Sequence, residues 1–303
     1  MMRAIPTGVL PVHATPFTAC GDLDTGALRN EIDFVIEHHA DGVVLGMVSE
    51  VLRLSSEERD ELTVATCRAV DGRVSVVASA GAESVVTAIR YARNAEAAGA
   101  DAVMAIPPTT TACDDIELYD YYSRIIEAIE IPVVVQDASG YLGRPLTIEL
   151  QSSLFNQFGD RALFKPEAQP IGPRLTALLN ATSNKAKIYE GTGGLALVDS
   201  YKRGIVGTMP GPDIIWALVA LWKALEDGDD ERVDDIQGPL CAIVSIQNSL
   251  DSFVSVQKHL LRRQGVITET HARGPVGYRL DPATEREVDR LFDRLASVVG
   301  SRV

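Results

Sequence analysis

Apolar positions along this chain fall into two alternating kinds of segment. Short runs rich in Val, Ile and Ala are each followed by a longer stretch in which apolar residues recur every three or four positions. The short runs are G-V-L-P-V-H-A-T-P-F at 8–17, D-G-V-V-L-G at 41–46, V-S-V-V-A-S-A at 74–80 and D-A-V-M-A-I at 101–106. Four more follow: I-P-V-V-V-Q-D at 131–137, A-L-F-K-P-E at 162–167, K-I-Y-E-G at 187–191 and I-V-G-T-M-P at 205–210. The first six begin roughly thirty residues apart, the period of a strand–helix unit in a parallel sheet. Their near-continuous apolar character says that both faces are buried. Eight such units predict a (β/α)8 barrel, with a doubly wound open sheet as the rival architecture.

Two junctions repeat almost literally, H-H-A-D-G-V-V-L-G at 38–46 and A-A-G-A-D-A-V-M-A-I at 97–106, each leading from a helix into a strand through Asp. Beyond the eighth run, helical periodicity marks 214–225, a long stretch at 231–264, and 284–295. That is more than one barrel helix, so 1–225 is expected to form the barrel and 226–303 a C-terminal helical extension packed on it. The run E-D-G-D-D-E-R-V-D-D at 226–235 reads as an acidic turn and helix start.

Composition narrows the function more than the fold. A net charge of -14 disfavours nucleic acid and anionic membrane as partners, and an anionic ligand would have to be attracted locally. Cys20, Cys67, Cys113 and Cys241 are scattered without a C-x-x-C pair, which encodes neither a zinc site nor a disulfide framework. The N-terminal M-M-R-A-I-P-T-G-V-L-P is too short and proline-broken for a signal segment, and no apolar run approaches membrane-spanning length. A cytoplasmic location is expected.

In a barrel, chemistry sits at the C-terminal ends of the strands. Among the residues closing the eight runs, Lys165 in R-A-L-F-K-P-E is the single cationic side chain. A lysine in that position pairs with a carboxylate as a structural ion pair, snorkels to water, or loses its proton and becomes a nucleophile. The residues alone leave all three open.

The ordered set of motifs resembles the dihydrodipicolinate synthase / N-acetylneuraminate lyase superfamily of Schiff-base-forming aldolases and lyases. The resemblance covers essentially the whole length: the first strand, the loop G-M-V-S-E-V-L-R-L-S-S-E-E-R at 46–59, G-A-D-A-V-M-A-I-P-P at 99–108, I-P-V-V-V-Q-D, F-K-P-E, and R-G-I-V-G-T-M-P-G at 203–211. It implies that Lys165 forms the imine with a 2-oxo acid, that the protonated imine acts as electron sink, and that no metal or organic cofactor is needed. It also implies a homo-oligomer, dimer or tetramer, acting on a small-molecule 2-oxo acid.

Two departures from the family pattern matter. The carboxylate-binding loop, usually G-[ST]-[ST]-G-E, is Gly46-Met47-Val48-Ser49-Glu50 here. Its backbone N–H groups could still hold an anion, with the Ser49 hydroxyl as candidate side-chain contact and turn capping as the alternative role. Where the family's proton-relaying tyrosine closes strand five, this chain has Gln136-Asp137, and a glutamine cannot titrate. The Q-D, G-x-x-S-E and G-T-M-P features together resemble the 2-keto-3-deoxy sugar acid dehydratase branch. In such a site proton traffic falls to Lys165, water, or one of Glu50, Asp137 and Glu167, and sequence does not rank these carboxylates.

Lys165 and Gln136 are thus the candidate catalytic residues, with Met47, Val48, Ser49, Thr110, Asp137, Glu167, Thr208 and Met209 as candidate substrate contacts and no metal ligands. The leading activity is dehydratase or aldolase action on a 2-keto-3-deoxy sugar acid. Retro-aldol or synthase action on another 4-hydroxy-2-oxo acid, and keto-acid binding without turnover, are the alternatives. His13 reads as a core histidine, and Tyr119, Tyr121 and Tyr122 as packing. The glycine-rich Tyr189–Gly194 turn is expected to border the substrate tail, and Lys258–Arg263 to form a basic helix face.

Overall fold

The computed structural model describes residues 5–139 and 144–300, so residues 1–4 of the N-terminal segment and 301–303 of the expected extension lie outside it. Eight short strands alternate with helices in chain order. They are β1 (Gly8–Val9), β2 (Gly42–Val44), β3 (Ser75–Ser79), β4 (Ala102–Ala105), β5 (Val133–Asp137), β6 (Ala162–Pro166), β7 (Tyr189–Glu190) and β8 (Gly207–Thr208). The first seven are followed by α1 (Thr25–Glu37), α2 (Ser56–Val70), α3 (Val85–Ala98), α4 (Asp115–Glu127), α5 (Ile148–Phe158), α6 (Ile171–Ala181) and α7 (Leu197–Arg203). All eight sequence-expected runs contain the strand assigned to them.

Every pairing between these strands is parallel. β2 to β6 form one run and β1–β8–β7 another. Single parallel bridges, Val12 to Val44 and Phe164 to Ile188, join the two runs at both ends, which carries neighbour contacts around all eight strands as a (β/α)8 barrel demands. The repeated junctions have a shared cause. Asp41 Oδ2 accepts the Val9 amide (2.8 Å) and Asp101 Oδ2 the Val76 amide (2.9 Å), so each aspartate ties its strand to the preceding one.

Strand alternation sorts side chains into two cores. Leu10, Val44, Val77, Met104, Val134 and Leu163 fill the barrel interior, while Val43, Val76, Val103, Val133, Val135 and Phe164 face the helices. Carried one step further along β5 and β6, the same alternation turns Gln136 and Lys165 inward, and their Cα positions are register partners. Glu167, two residues after Lys165, lies on the same side.

After β8 come α8 (Ile215–Asp227), α9 (Asp230–Val244), α10 (Leu250–Arg263) and α11 (Pro282–Val299). The acidic run is a helix junction: Gly228 closes α8 in the left-handed region (φ 68°), and the Asp229 carboxylate caps α9 by accepting the Arg232 amide (3.0 Å). The stretch of helical periodicity expected at 231–264 is divided between two helices, because Ser249 and Ser252 cap each other's backbone amides and start α10 afresh. Among the described residues no helix is long and apolar enough to cross a membrane.

One buried carboxyl sets a pH dependence of stability. Glu31 on α1 is fully buried; its Oε1 accepts the Ala14 amide (2.7 Å) and its Oε2 has no partner among the described residues. Burial pushes this carboxyl from the usual 4.5 up to about 8, against the pull of the Ala14 amide and the Lys258 ammonium. The native state therefore holds a proton that the unfolded chain releases, and stability is lost as pH rises from about 4.5 through about 8. Glu31→Gln removes that loss. Denaturant titrations at pH 5 and pH 9 should show the variant gaining on the wild type by on the order of a few kcal/mol at the higher pH, whereas a pH-independent offset would refute the assignment.

Candidate active site

The inward-facing ends of the strands converge on a cleft whose walls include Met47, Val48, Gln136, Lys165, Glu167 and Met209. Six of the ten sequence candidates thus share one cavity. Lys165 Nζ donates to Glu167 Oε1 at 2.6 Å, and Gln136 Nε2 donates to Glu167 Oε2 at 3.1 Å. The amine and carboxylate are each about one-twentieth exposed. Burial holds the Glu167 carboxyl above the ordinary carboxylate range, against the opposing pull of the Lys165 ammonium and the Gln136 amide. A carboxyl so placed lies within proton-transfer distance of the amine.

The space for this pair comes from a glycine. A Cβ on Gly191, just after β7, would lie 2.8 Å from both Lys165 Cε and Glu167 Oε1. The glycine-rich turn expected at the substrate tail is thus also a close packing surface for the amine itself.

A 3-10 turn at Met47–Ser49 opens from Gly46 on the opposite wall. As its first two residues, Met47 and Val48 carry amides with no acceptor inside the turn. Those N–H groups are able to hold an anion where the usual hydroxyls are missing.

Four candidates are committed elsewhere. The Ser49 hydroxyl accepts the Gly46 amide (3.1 Å) and donates to the His13 carbonyl (2.6 Å), with the residue fully buried, so it holds the turn closed. Asp137 alternates to the outside of β5, and its oxygens accept the Ser139 and Leu146 amides, each at 3.0 Å. Thr208 donates to Glu190 Oε2 at 2.6 Å. Exposed Thr110 joins Thr109 in binding the two oxygens of Glu83 through amide and hydroxyl; these four bonds outweigh the cost of burial and bring that carboxyl to about 2.

The expected basic face of α10 keeps Arg262 and Arg263 exposed and is corrected at Lys258. Lys258 is fully buried, donating to Glu50 Oε1 (2.5 Å) and to the His271 carbonyl (2.6 Å), because a carboxylate 208 residues earlier waits for it. The other oxygen of Glu50 accepts the Arg273 amide at 2.8 Å, which removes Glu50 from the possible proton carriers. His13 is a core histidine, with burial lowering it from 6.5 to about 4.

Sequence reasoning missed the contribution of α10 to the cleft. Leu250, Phe253 and Gln257 line it, spaced three and four residues apart on one helical face. The signal was a glutamine set in an apolar stripe.

Comparison with known proteins agrees with this architecture. The chain is 28% identical over 302 residues to L-2-keto-3-deoxyarabonate dehydratase of Azospirillum brasilense, covering 96% of this chain and 95% of that protein. It is 26% identical over 281 residues to the Escherichia coli (strain K12) protein named "Probable 2-dehydro-3-deoxy-D-pentonate aldolase YjhH", covering 89% and 91%. The solved structure of dihydrodipicolinate synthase from Rhodopseudomonas palustris matches with a TM-score of 0.88 and 25% identity, over 97% of this chain and 100% of that one. The model of the dihydrodipicolinate synthetase family matches residues 5–293, from the start of the first strand into the last helix, and the chain is a member of that family and an enzyme of the lyase type.

Proposed function

We propose that this enzyme forms an imine between Lys165 and a 2-oxo acid, and that Glu167 moves the protons. The observation that carries the reading is the buried contact of 2.6 Å between amine and carboxylate. Glu167 takes a proton from the ammonium, and the neutral amine attacks the C2 ketone. Glu167 returns that proton to the carbinolamine hydroxyl, which leaves as water and gives the protonated imine, with the C1 carboxylate against the Met47 and Val48 amides.

From the imine, Glu167 as carboxylate removes a C3 proton to give the enamine. The electron pair then expels the 4-hydroxyl, which leaves as water with the proton that Glu167 carries. One carboxyl thus serves both half-steps, and Gln136, which cannot titrate, keeps it oriented. A 2-keto-3-deoxy sugar acid supplies the required groups, and the dehydratase relative supports dehydration as the leading reaction. The aldolase relative supports a second reading, in which the base removes the 4-hydroxyl proton and the C3–C4 bond breaks to release pyruvate.

Incubation with pyruvate and borohydride, followed by mass measurement and peptide mapping, should find one reduced adduct at Lys165. Its absence would sink both readings. Turnover of a 2-keto-3-deoxypentonate then chooses between them: a dehydrated keto acid without pyruvate marks the first, pyruvate the second.

A further inference from the structure

The cleft has its reacting amine at Lys165 and one wall supplied by α10. That wall is apolar at Leu250 and Phe253, with one exception. Gln257 is 1% exposed, lines the cleft, and its Oε1 has no hydrogen-bond partner among the described residues. A buried amide oxygen without a donor is costly, and the cost is recovered when a ligand supplies the donor.

The surroundings hold that amide in place. Gly211, on the loop after β8, also lines the cleft; a Cβ there would fall 2.3 Å from Gln257 Nε2 and 2.6 Å from Asp213 Oδ1. Any larger residue at 211 would displace the amide. Asp213 lies behind it, 1% exposed, with Oδ2 accepting from Gln247 Nε2 at 3.4 Å and Oδ1 unpartnered among the described residues. Two neighbouring buried oxygens lacking donors thus lie on this wall and just behind it.

We infer that Gln257 is the specificity-determining residue of this enzyme, accepting a hydrogen bond from a hydroxyl on the substrate carbon beyond the reacting ones. The inference rests on the imine-forming reading and adds the residue that would recognise the substrate's hydroxyl. Hydroxyl recognition by a buried acceptor rejects an analogue lacking the hydroxyl, because the acceptor is then stranded. The selected substrate is therefore a keto-deoxy acid bearing a 5-hydroxyl, in preference to the 5-deoxy compound of equal chain length.

The test compares 4,5-dihydroxy-2-oxopentanoate with 4-hydroxy-2-oxopentanoate as competitors of pyruvate trapping at Lys165, using the full chain and its Gln257→Leu and Gln257→Glu variants. The readout is the concentration of each competitor that halves the borohydride adduct, so no turnover is needed. In the wild type the dihydroxy acid should compete at roughly tenfold lower concentration or better, Gln257→Leu should erase that ratio, and Gln257→Glu, which keeps an acceptor, should retain part of it. A ratio near one in the wild type, or an unchanged ratio in the leucine variant, overturns the inference while leaving the imine chemistry intact. Failure of wild-type pyruvate trapping instead overturns the reading on which it rests, and the inference with it.

Discussion

Lys165→Ala is expected to form no borohydride-trapped adduct and to lose turnover by a factor on the order of 10^4 or more, since no other route to the electron sink is available. Lys165→Arg should be as inactive, because a guanidinium keeps the charge but does not form the imine. That pair of variants separates nucleophilicity from the ion pair with Glu167. The alanine variant strips a buried carboxylate of its ammonium partner, and breaking such a pair costs about 3–5 kcal/mol when the remaining group stays charged. Glu167 already lies above the usual carboxylate range, so at low pH it is protonated and the loss is smaller. Melting the variant at pH 5 and pH 8 should show a deficit that grows with pH. Residual adduct in either variant would place the imine on another amine.

Glu167→Gln is expected to keep the trapped pyruvate adduct while lowering turnover by about 10^2- to 10^4-fold, the range for losing a positioned acid–base group. Nearly isosteric, the new side chain still accepts from Lys165, and Gln136 turns its own amide to match. In the wild type, kcat/KM should fall as pH drops and Glu167 takes up its proton. The midpoint should lie above the ordinary glutamate value of 4.5, because burial raises this carboxyl. The variant should lack that limb altogether. Turnover within about threefold of wild type would remove Glu167 from the proton path and return the role to water or to Lys165 itself.

The fold was readable because parallel barrel strands are buried on both faces and stand out as apolar runs, even where the paired segment is as short as the two residues of β1, β7 and β8. The inward direction of Gln136, Lys165 and Glu167 followed from strand alternation alone. The roles of the other polar candidates were not readable, because each is decided by a partner distant in sequence. Ser49 is consumed by the carbonyl of His13, Thr208 by Glu190 and Thr110 by Glu83. Asp137 differs in having a local cause: strand parity turns it outward, and that could have been read from the Q-D pair. Lys258 sat in a helical pattern that fitted a solvent face equally well until Glu50 appeared opposite it.

The ion pair between Glu50 and Lys258 makes the loop after the second strand and the tenth helix a single heritable unit. Each is about 1% exposed at the side chain, so neither charge tolerates a neutral partner. The same loop presents the Met47 and Val48 amides, and the same helix presents Gln257. Chimaeras that exchange C-terminal helices among relatives to alter substrate choice will therefore need residues 50 and 258 to travel together. A swap matched only at the cleft surface would import a new wall and strand a charge beneath it.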